Sequence, residues 1–532
     1  MEKQAGTSRL QKLFGKELDP VVFYIAVAMT APFIFMGLFM TDKLAQVSAG
    51  MVKTICDMFQ STYLFGVTGF LIFCVVLALS PWGKIKLGKD ADKPEYSTLS
   101  WFAMLFSAGM GIGLLFWAIA EPMSHMANPP MKGLSPMDNA VLAQEIYFFH
   151  WGFHAWGVYA IVGLALAYSQ FRKNRGALVS GCLVPIFGEK HCKGTFGKVI
   201  DAFCVWATLF GVVTGIGTGA MQMTGGLSYL LGFEHSQLAI VIVVGFVTVS
   251  FVISAITGIG KGIKSLSLLN IILMMVILAY FTIFGPTAFL FKNFAATLGS
   301  YLKDLPMLSS SSILFGNDAW TRGWTVFYWA FWIAWAPFTG GFIARISKGR
   351  TIREFVFVVI VAPVLFSFIF STVMGGTGIF MDMFEGTAIG KVALELSLFE
   401  TLRHMPMASL ISGIGVVLAT SFVITSADSA TYVMARFCTQ GVDPKDPKAT
   451  SRLTVIWGVC LGVLTIAFIF SGGLNGLKSS TIIGSLPFIF VMFLSAFALV
   501  KDLAHEKAEV TLKAPAPAAQ PVPQEVKVKT DF

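Results

Sequence analysis

Several aromatic residues fall at spacings that would gather ring faces inside apolar sequence. The run His150-Trp151-Gly152-Phe153-His154-Ala155-Trp156-Gly157-Val158-Tyr159, read as one helix turning about 100° per residue, puts Tyr159 about 80° from Trp151 and about 60° from Trp156. A second run supplies Trp329, Phe331, Trp332 and Trp335. Indole and phenol faces gathered around one point attract a quaternary ammonium through their quadrupoles. The competing explanation is the interfacial aromatic belt, which lies at the ends of membrane spans. Trp332 and Trp335 lie mid-span, which favours the cage; Trp151 and Trp156 lie nearer an outer end and decide less. His150 and His154, without a carboxylate partner, read as packing or interfacial residues.

Two neighbouring stretches interrupt apolar sequence. Ser107-Ala108-Gly109-Met110-Gly111-Ile112-Gly113 alternates three glycines, each costing about 1 kcal/mol against alanine within a helix. Such a run either lets helices pack closely or unwinds the backbone, which membrane depth tolerates only where it lines a cavity or is covered by protein. No strand precedes it and no suitably placed acid follows, so a dinucleotide loop is excluded. Trp335-Ala336-Pro337-Phe338-Thr339-Gly340-Gly341 is the matching irregularity. Interrupted helices at corresponding places in two halves mark the binding site of repeat-built transporters. The stretch Phe422-Val423-Ile424-Thr425-Ser426-Ala427-Asp428-Ser429 places adjacent hydroxyls beside carbonyls, a hard-oxygen set suited to sodium. Alternatively, the hydroxyls bond back to their own helix. Asp428, well inside a hydrophobic segment, is functional by default unless it only bonds a nearby helix end.

The elements that carry these residues are membrane helices. The 532 residues are 55% hydrophobic, with only 13% charged, where soluble chains carry about a quarter; mean hydropathy is +0.75. A helix needs about 20 apolar residues to cross a bilayer. Such stretches occur near 20–41, 61–82, 99–120, 146–171, 202–233, 236–260, 265–291, 323–344, 355–381, 405–427, 453–477 and 479–500. The fourth, fifth and tenth are long enough to tilt or break. The period-2 alternation of a transmembrane barrel is missing. With the N-terminus inside, most of the 38 Lys and Arg residues fall on the inner side. Positive charge marks the cytoplasmic face, so both termini are expected in the cytoplasm, and the net charge of +9 reflects topology rather than nucleic-acid binding. No HExxH and no Ser–His–acid set is evident, which argues against an enzyme. The seven cysteines show no metal spacing. Segments 292–322 and 382–404 are partly amphipathic, as surface helices or loops, and Ala514 to Phe532 reads as a disordered tail.

Four pieces carry a family resemblance: GMGIGLLFWAIAEP (109–122), HWGFHAWGVYAIVGLALAY (150–168), FYWAFWIAWAPFTGGFIARISKGRTIREF (327–355) and ITSADSATYVM (424–434). With them in this order, the chain resembles the betaine/choline/carnitine transporter (BCCT) family over about residues 15–503. The resemblance implies an all-α integral membrane protein of the bacterial cytoplasmic (inner) membrane, with 12 transmembrane helices and a LeuT-like 5+5 inverted repeat. Its divisions would be a cytoplasmic N-terminus (1–19), two peripheral transmembrane helices (20–98), a first repeat (99–291), an outer connecting segment (292–322), a second repeat (323–500) and a cytoplasmic disordered tail (501–532). It further implies a homotrimer and sodium-coupled symport of a small zwitterion such as glycine betaine by alternating access. The aromatic box would be Trp151, Trp156, Tyr159 and Trp332, with Phe331 beside it and Gly111 and Gly113 at the substrate. Trp335, Phe338 and Phe342 would line the path to the cytoplasm. Sodium, the coupling ion and the only ion or cofactor expected, would meet the carbonyls of Ser107, Met110 and Phe422 and the side chains of Thr425 and Ser426.

Some positions depart from relatives. Choline-selective members carry Asp where this chain has Gly113, which points to a zwitterion or to the sulfonium analogue dimethylsulfoniopropionate. Sodium-independent carnitine exchangers carry Arg at the position of Ile271. A second sodium site uses two threonines, of which this chain keeps Thr208 and replaces the other with Val212. Phe331 stands where a betaine carrier has Trp, and the end of the chain lacks the long basic helix of osmosensing members. The alternatives are uptake of dimethylsulfoniopropionate, choline or carnitine, or sodium-independent exchange.

Overall fold

A computed structural model of the chain describes residues 17–109, 111–257, 260–439 and 451–513. Ten helices among these residues are long and apolar enough to cross a membrane, so this is a multi-pass membrane protein. Its β contacts there are two isolated bridges, Leu18 with Thr439 and Lys86 with Thr351. The principal helices are α1 (Pro20–Phe39), α2 (Thr41–Leu79), α3 (Thr98–Gly109), α4 (Ile112–Ala127), α5 (Pro136–Trp151), α6 (Phe153–Ala167) and α7 (Thr195–Leu231). They continue with α8 (Gln237–Thr257), α9 (Gly260–Phe284), α10 (Thr287–Ser310), α11 (Phe327–Ile346), α12 (Ile352–Phe380), α13 (Ala408–Phe437) and α14 (Ser451–Lys513).

Burial separates a centre from a periphery. The segment Pro136–Arg172 is 94% buried over its most apolar window, against 33% for α1. Helices apolar all round belong either to a core or to lipid, and the central ones are told apart by small residues that admit close neighbours. On α7, a Cβ at Gly211 would lie 2.8 Å from the Cβ of Ala334 on α11. At the edge, Asp19 caps α1, its Oδ1 accepting from Val21 N at 3.0 Å, and its other oxygen pairs with Lys198 Nζ at 2.9 Å.

The interruptions differ from the sequence reading. The glycine-rich stretch does divide its span, between α3 and α4, with Gly111 at φ −115°, ψ −149°. The fourth span also divides, at Gly152 (φ −92°, ψ −142°). The helical-wheel angle from Trp151 to Tyr159 therefore crosses a break and does not apply. The matching interruption at Pro337 is absent: α11 runs through it with every residue from Phe327 to Gly340 buried. One proline removes one donor and bends a helix; here the flanking helices hold it together. Its irregularity lies instead just before its start, a π-turn over Arg322–Val326. The fifth and tenth spans, α7 and α13, are single helices.

Of the outer segments, the first is mostly α10 followed by short turns, and the second holds the short helix Ser397–Arg403 among turns. Helical geometry in α14 fails at Gly472 and Gly473, the latter at φ +56°, which splits it into two arms. The second arm continues past residue 500 to Lys513, so 501–513 is helix rather than tail. Polar anchors explain this: Arg175 Nη2 donates to Asp502 Oδ1 at 2.9 Å and Arg172 Nε to Glu506 Oε1 at 2.6 Å. Residues 514–532, read as a tail, lie outside the described residues.

Candidate functional site

The site forms where the α3–α4 break meets α5, α6, α11 and α13. Gly111 precedes α4 without a side chain to cap it, so the first amides of α4 face the break with their helix-end partial positive charge. A Cβ at Gly111 would lie 3.3 Å from Ser426 Oγ on α13. A Cβ at Gly113 would lie 3.0 Å from Trp151 Cη2 and 3.8 Å from Phe331 Cζ. One side of the break thus meets a hydroxyl and the other meets rings.

The rings close on one another. Trp332 stands perpendicular to Trp151 at a centroid distance of 4.9 Å (88°) and to Tyr159 at 5.4 Å (82°). Phe331 lies 5.6 Å from Trp335, and Trp335 lies 6.0 Å from Phe338. Edge-to-face pairs of this kind contribute about 0.5–1.5 kcal/mol each beyond their area. They bound a cavity of about 20 Å³ whose wall includes Gly111, Gly113, Trp151, Tyr159, Phe331, Trp332, Trp335 and Ser426, room for about one water. Trp156 is not in that wall; it packs behind it, against Tyr159 at 5.6 Å. Phe338 is buried and Phe342 half-buried further along α11.

Each indole N–H in the wall is engaged elsewhere. Trp151 Nε1 donates to Glu121 Oε2 (3.0 Å), Trp332 Nε1 to the His150 carbonyl (2.9 Å) and Trp335 Nε1 to the Gly211 carbonyl (3.0 Å). The cavity is left with ring surfaces rather than indole donors, which suits an onium group that accepts no hydrogen bond.

On α13, Thr425 Oγ1 donates to the carbonyls of Ser421 (2.9 Å) or Phe422 (3.1 Å), as back-bonding predicts. One of its lone pairs accepts from Asn270 Nδ2 at 3.4 Å, which leaves the other available. Ser426 is the hydroxyl at the cavity. Of the other proposed sodium ligands, Met110 lies outside the described residues and Ser107 is described only through the backbone of α3. Asp428 accepts from Ser254 Oγ on α8 at 2.6 Å, a helix-to-helix bond. Thr208 and Val212 are both buried on α7.

Sequence reasoning missed Glu121, which lies one residue beyond the expected third span yet is fully buried. It also corrects the reading of His150, whose carboxylate partner sits on another helix. His150 Nδ1 donates to Glu121 Oε1 at 2.6 Å, and its Nε2 pairs with the Thr325 hydroxyl at 2.8 Å. The Tyr328 hydroxyl donates to Glu121 Oε2 at 2.5 Å. His125 Nε2 stands 3.5 Å from Oε1, and the Lys478 ammonium sits over Trp324 at 4.1 Å. An acid followed four residues later by a histidine, Glu121 and His125, was the available signal, since that spacing shares a helix face. Ligand atoms of Glu121, His125 and His150 lie within 4.8 Å of one another, close enough for a metal triad. The carboxylate, however, already accepts from three donors. His154 stacks on Trp329 at 5.4 Å, and its Nε2 meets Ser309 Oγ at 3.1 Å.

The chain also matches known proteins along most of its length. The family described as BCCT, betaine/carnitine/choline family transporter, matches residues 21–508. The glycine betaine transporter OpuD of Bacillus subtilis (strain 168) is 41% identical over 494 residues, 92% of this chain and 95% of that protein. A probable glycine betaine transporter of Desulfitobacterium hafniense (strain Y51) is 38% identical, covering 91% and 97%. An ectoine/hydroxyectoine transporter of Virgibacillus pantothenticus is 36% identical, covering 92% and 98%.

Proposed function

Because the chain belongs to the betaine/carnitine/choline transporter family, we propose that it is a sodium-coupled symporter of a small zwitterionic onium solute such as glycine betaine, working by alternating access. The observation that carries this is the ring set around Trp332, perpendicular to both Trp151 and Tyr159 and set beside a helix break. The two ends of a zwitterion find different partners there. The trimethylammonium separates the rings and takes their faces. The carboxylate meets the leading amides of α4, the arrangement by which half-helix N-termini hold anionic groups of transported solutes.

Sodium would be held across the same break by oxygens: the hydroxyls of Thr425 and Ser426 and the carbonyls of Phe422, Ser107 and Met110. Hydroxyl and carbonyl oxygens are the hard donors such an ion prefers. Since Gly111 faces Ser426 while Gly113 faces Trp151, one short backbone segment would feel both ion and solute, and ordering it with one would favour the other. Trp335, Phe338 and Phe342 would form the inner route.

Twelve crossings follow if α3 with α4 and α5 with α6 each count as one, α10 as none and the two arms of α14 as two. In this reading α3 to α9 and α11 to α14 form the LeuT-like inverted repeats, with α1 and α2 outside them. Both termini lie in the cytoplasm of a bacterium, and the working unit is a homotrimer in the inner membrane.

The test is uptake of radiolabelled glycine betaine into proteoliposomes with sodium or potassium outside. Saturable uptake that needs sodium and is lost in Trp332→Leu supports the proposal. Uptake indifferent to sodium identifies an exchanger. Uptake of choline, carnitine, dimethylsulfoniopropionate or ectoine in place of glycine betaine reassigns the solute.

A further inference from the structure

We propose that Glu121 is a positioning residue for the onium cage: one buried carboxylate fixes the angle between the Trp151 and Trp332 indoles and so sets the affinity of the site. The inference rests on the cage reading above and deepens it.

Glu121 lies on α4, yet it anchors two further helices. Its Oε2 accepts from Trp151 Nε1 at 3.0 Å and from the Tyr328 hydroxyl at 2.5 Å. Its Oε1 accepts from His150 Nδ1 at 2.6 Å. Trp151 closes α5, Tyr328 begins α11, and Trp332 is one turn further along α11 on the same face as Tyr328. The second indole is held through the backbone of the same histidine, Trp332 Nε1 donating to the His150 carbonyl at 2.9 Å. Thr325 closes the set by bonding His150 Nε2 at 2.8 Å. Both faces that stand at 88° across the cavity therefore trace to one acid.

The position of Trp151 explains why a hub is needed. The residue after it, Gly152, breaks the helix, so the α5 backbone alone does not fix the ring. A charge buried in low dielectric is costly unless its oxygens are paired, and here three donors satisfy it. Hydrogen bonds to charged groups are stronger than neutral ones, so the indole angle is held firmly. Glu121 is absent from the cavity wall; it acts through Trp151.

The test is a double-mutant cycle on glycine betaine binding, measured by calorimetry on the purified full-length protein with sodium present. Glu121→Gln keeps the shape but loses an acceptor for one of the three donors. It should weaken binding by about tenfold, the scale of a charged hydrogen bond. In a Trp151→Phe background, which has no N–H to hold, Glu121→Gln should add less than about twofold, because coupled residues are non-additive. A tenfold loss in both backgrounds would overturn the inference, as would no loss in either. If Glu121→Gln fails to fold, Thr325→Val replaces it in a cycle against Trp332→Phe. It loosens His150, whose carbonyl holds Trp332, and should weaken binding about threefold in the wild-type background and less than about twofold in Trp332→Phe, which has no N–H to hold; equal effects in both overturn the inference. Trp332→Leu is the control: unchanged binding there defeats the cage reading itself. Loss there with wild-type affinity in Glu121→Gln defeats only the role of Glu121.

Discussion

The break between α3 and α4 and the unbroken α11 face each other across the same cavity and solve opposite problems. Both carry helix breakers, three glycines in one and Pro337 in the other. The glycines remove side chains that would restrain the backbone, and the chain leaves helical geometry at Gly111. The proline removes one hydrogen bond, and α11 continues with its flanks buried. One element exposes backbone amides and abuts a hydroxyl; the other is a rigid rail presenting Phe331, Trp332 and Trp335 at fixed angles. On the proposed reading, the soft element would respond to the ion and the stiff one would grip the cation.

The comparison can be broken from the stiff side first. Trp332→Leu removes the ring shared by three edge-to-face pairs, with Trp151, Tyr159 and Phe331. A desolvated cation–π contact is worth about 2 kcal/mol or more, so the KM for glycine betaine uptake should rise about thirtyfold. A rise under threefold would show that the rail does not hold the solute. Gly113→Asp tests the soft side. Its Cβ would press on Trp151 at 3.0 Å while adding a negative charge for a cationic solute. Choline uptake relative to glycine betaine should rise about tenfold, the scale of one added charged contact. An unchanged ratio would show that position 113 does not face the solute.

Ser426→Ala should raise the sodium concentration for half-maximal uptake about fivefold, as expected for one lost polar ligand, with a smaller change in solute KM measured at saturating sodium. Equal shifts in both would mean that Ser426 serves the solute instead. The smallest effect should come from Pro337→Ala, which restores one helix bond. Uptake should stay within about twofold, since packing already holds α11 straight enough to be continuous. Loss of transport would show that the bend, and not only the rings, is functional.

Much of this was legible in the residue string, for physical reasons that differ by element. Membrane spans show because each needs a long uncharged run, and ten helices among the described residues qualify by length and composition. The glycine break showed because three glycines in five residues have few other uses. Pro337 misled because a proline's effect depends on whether neighbours enclose it, which no local window records. Glu121 was hidden because an acid at a span's edge looks like an interfacial residue until the fold brings His150, Trp151 and Tyr328 around it. The angle from Trp151 to Tyr159 failed for the complementary reason: one glycine, Gly152, reset the phase between them.

The closeness of the rings has a consequence for what the protein ignores. With about 20 Å³ between them, any solute must first pull apart pairs that hold together by about 0.5–1.5 kcal/mol each. An onium group regains that cohesion, because its charge replaces ring edges with a stronger attraction. A neutral molecule of the same shape regains only dispersion and pays the difference. On the proposed reading, rejection of abundant uncharged metabolites would need no polar filter at the entrance, because it would follow from the attraction of the walls for each other.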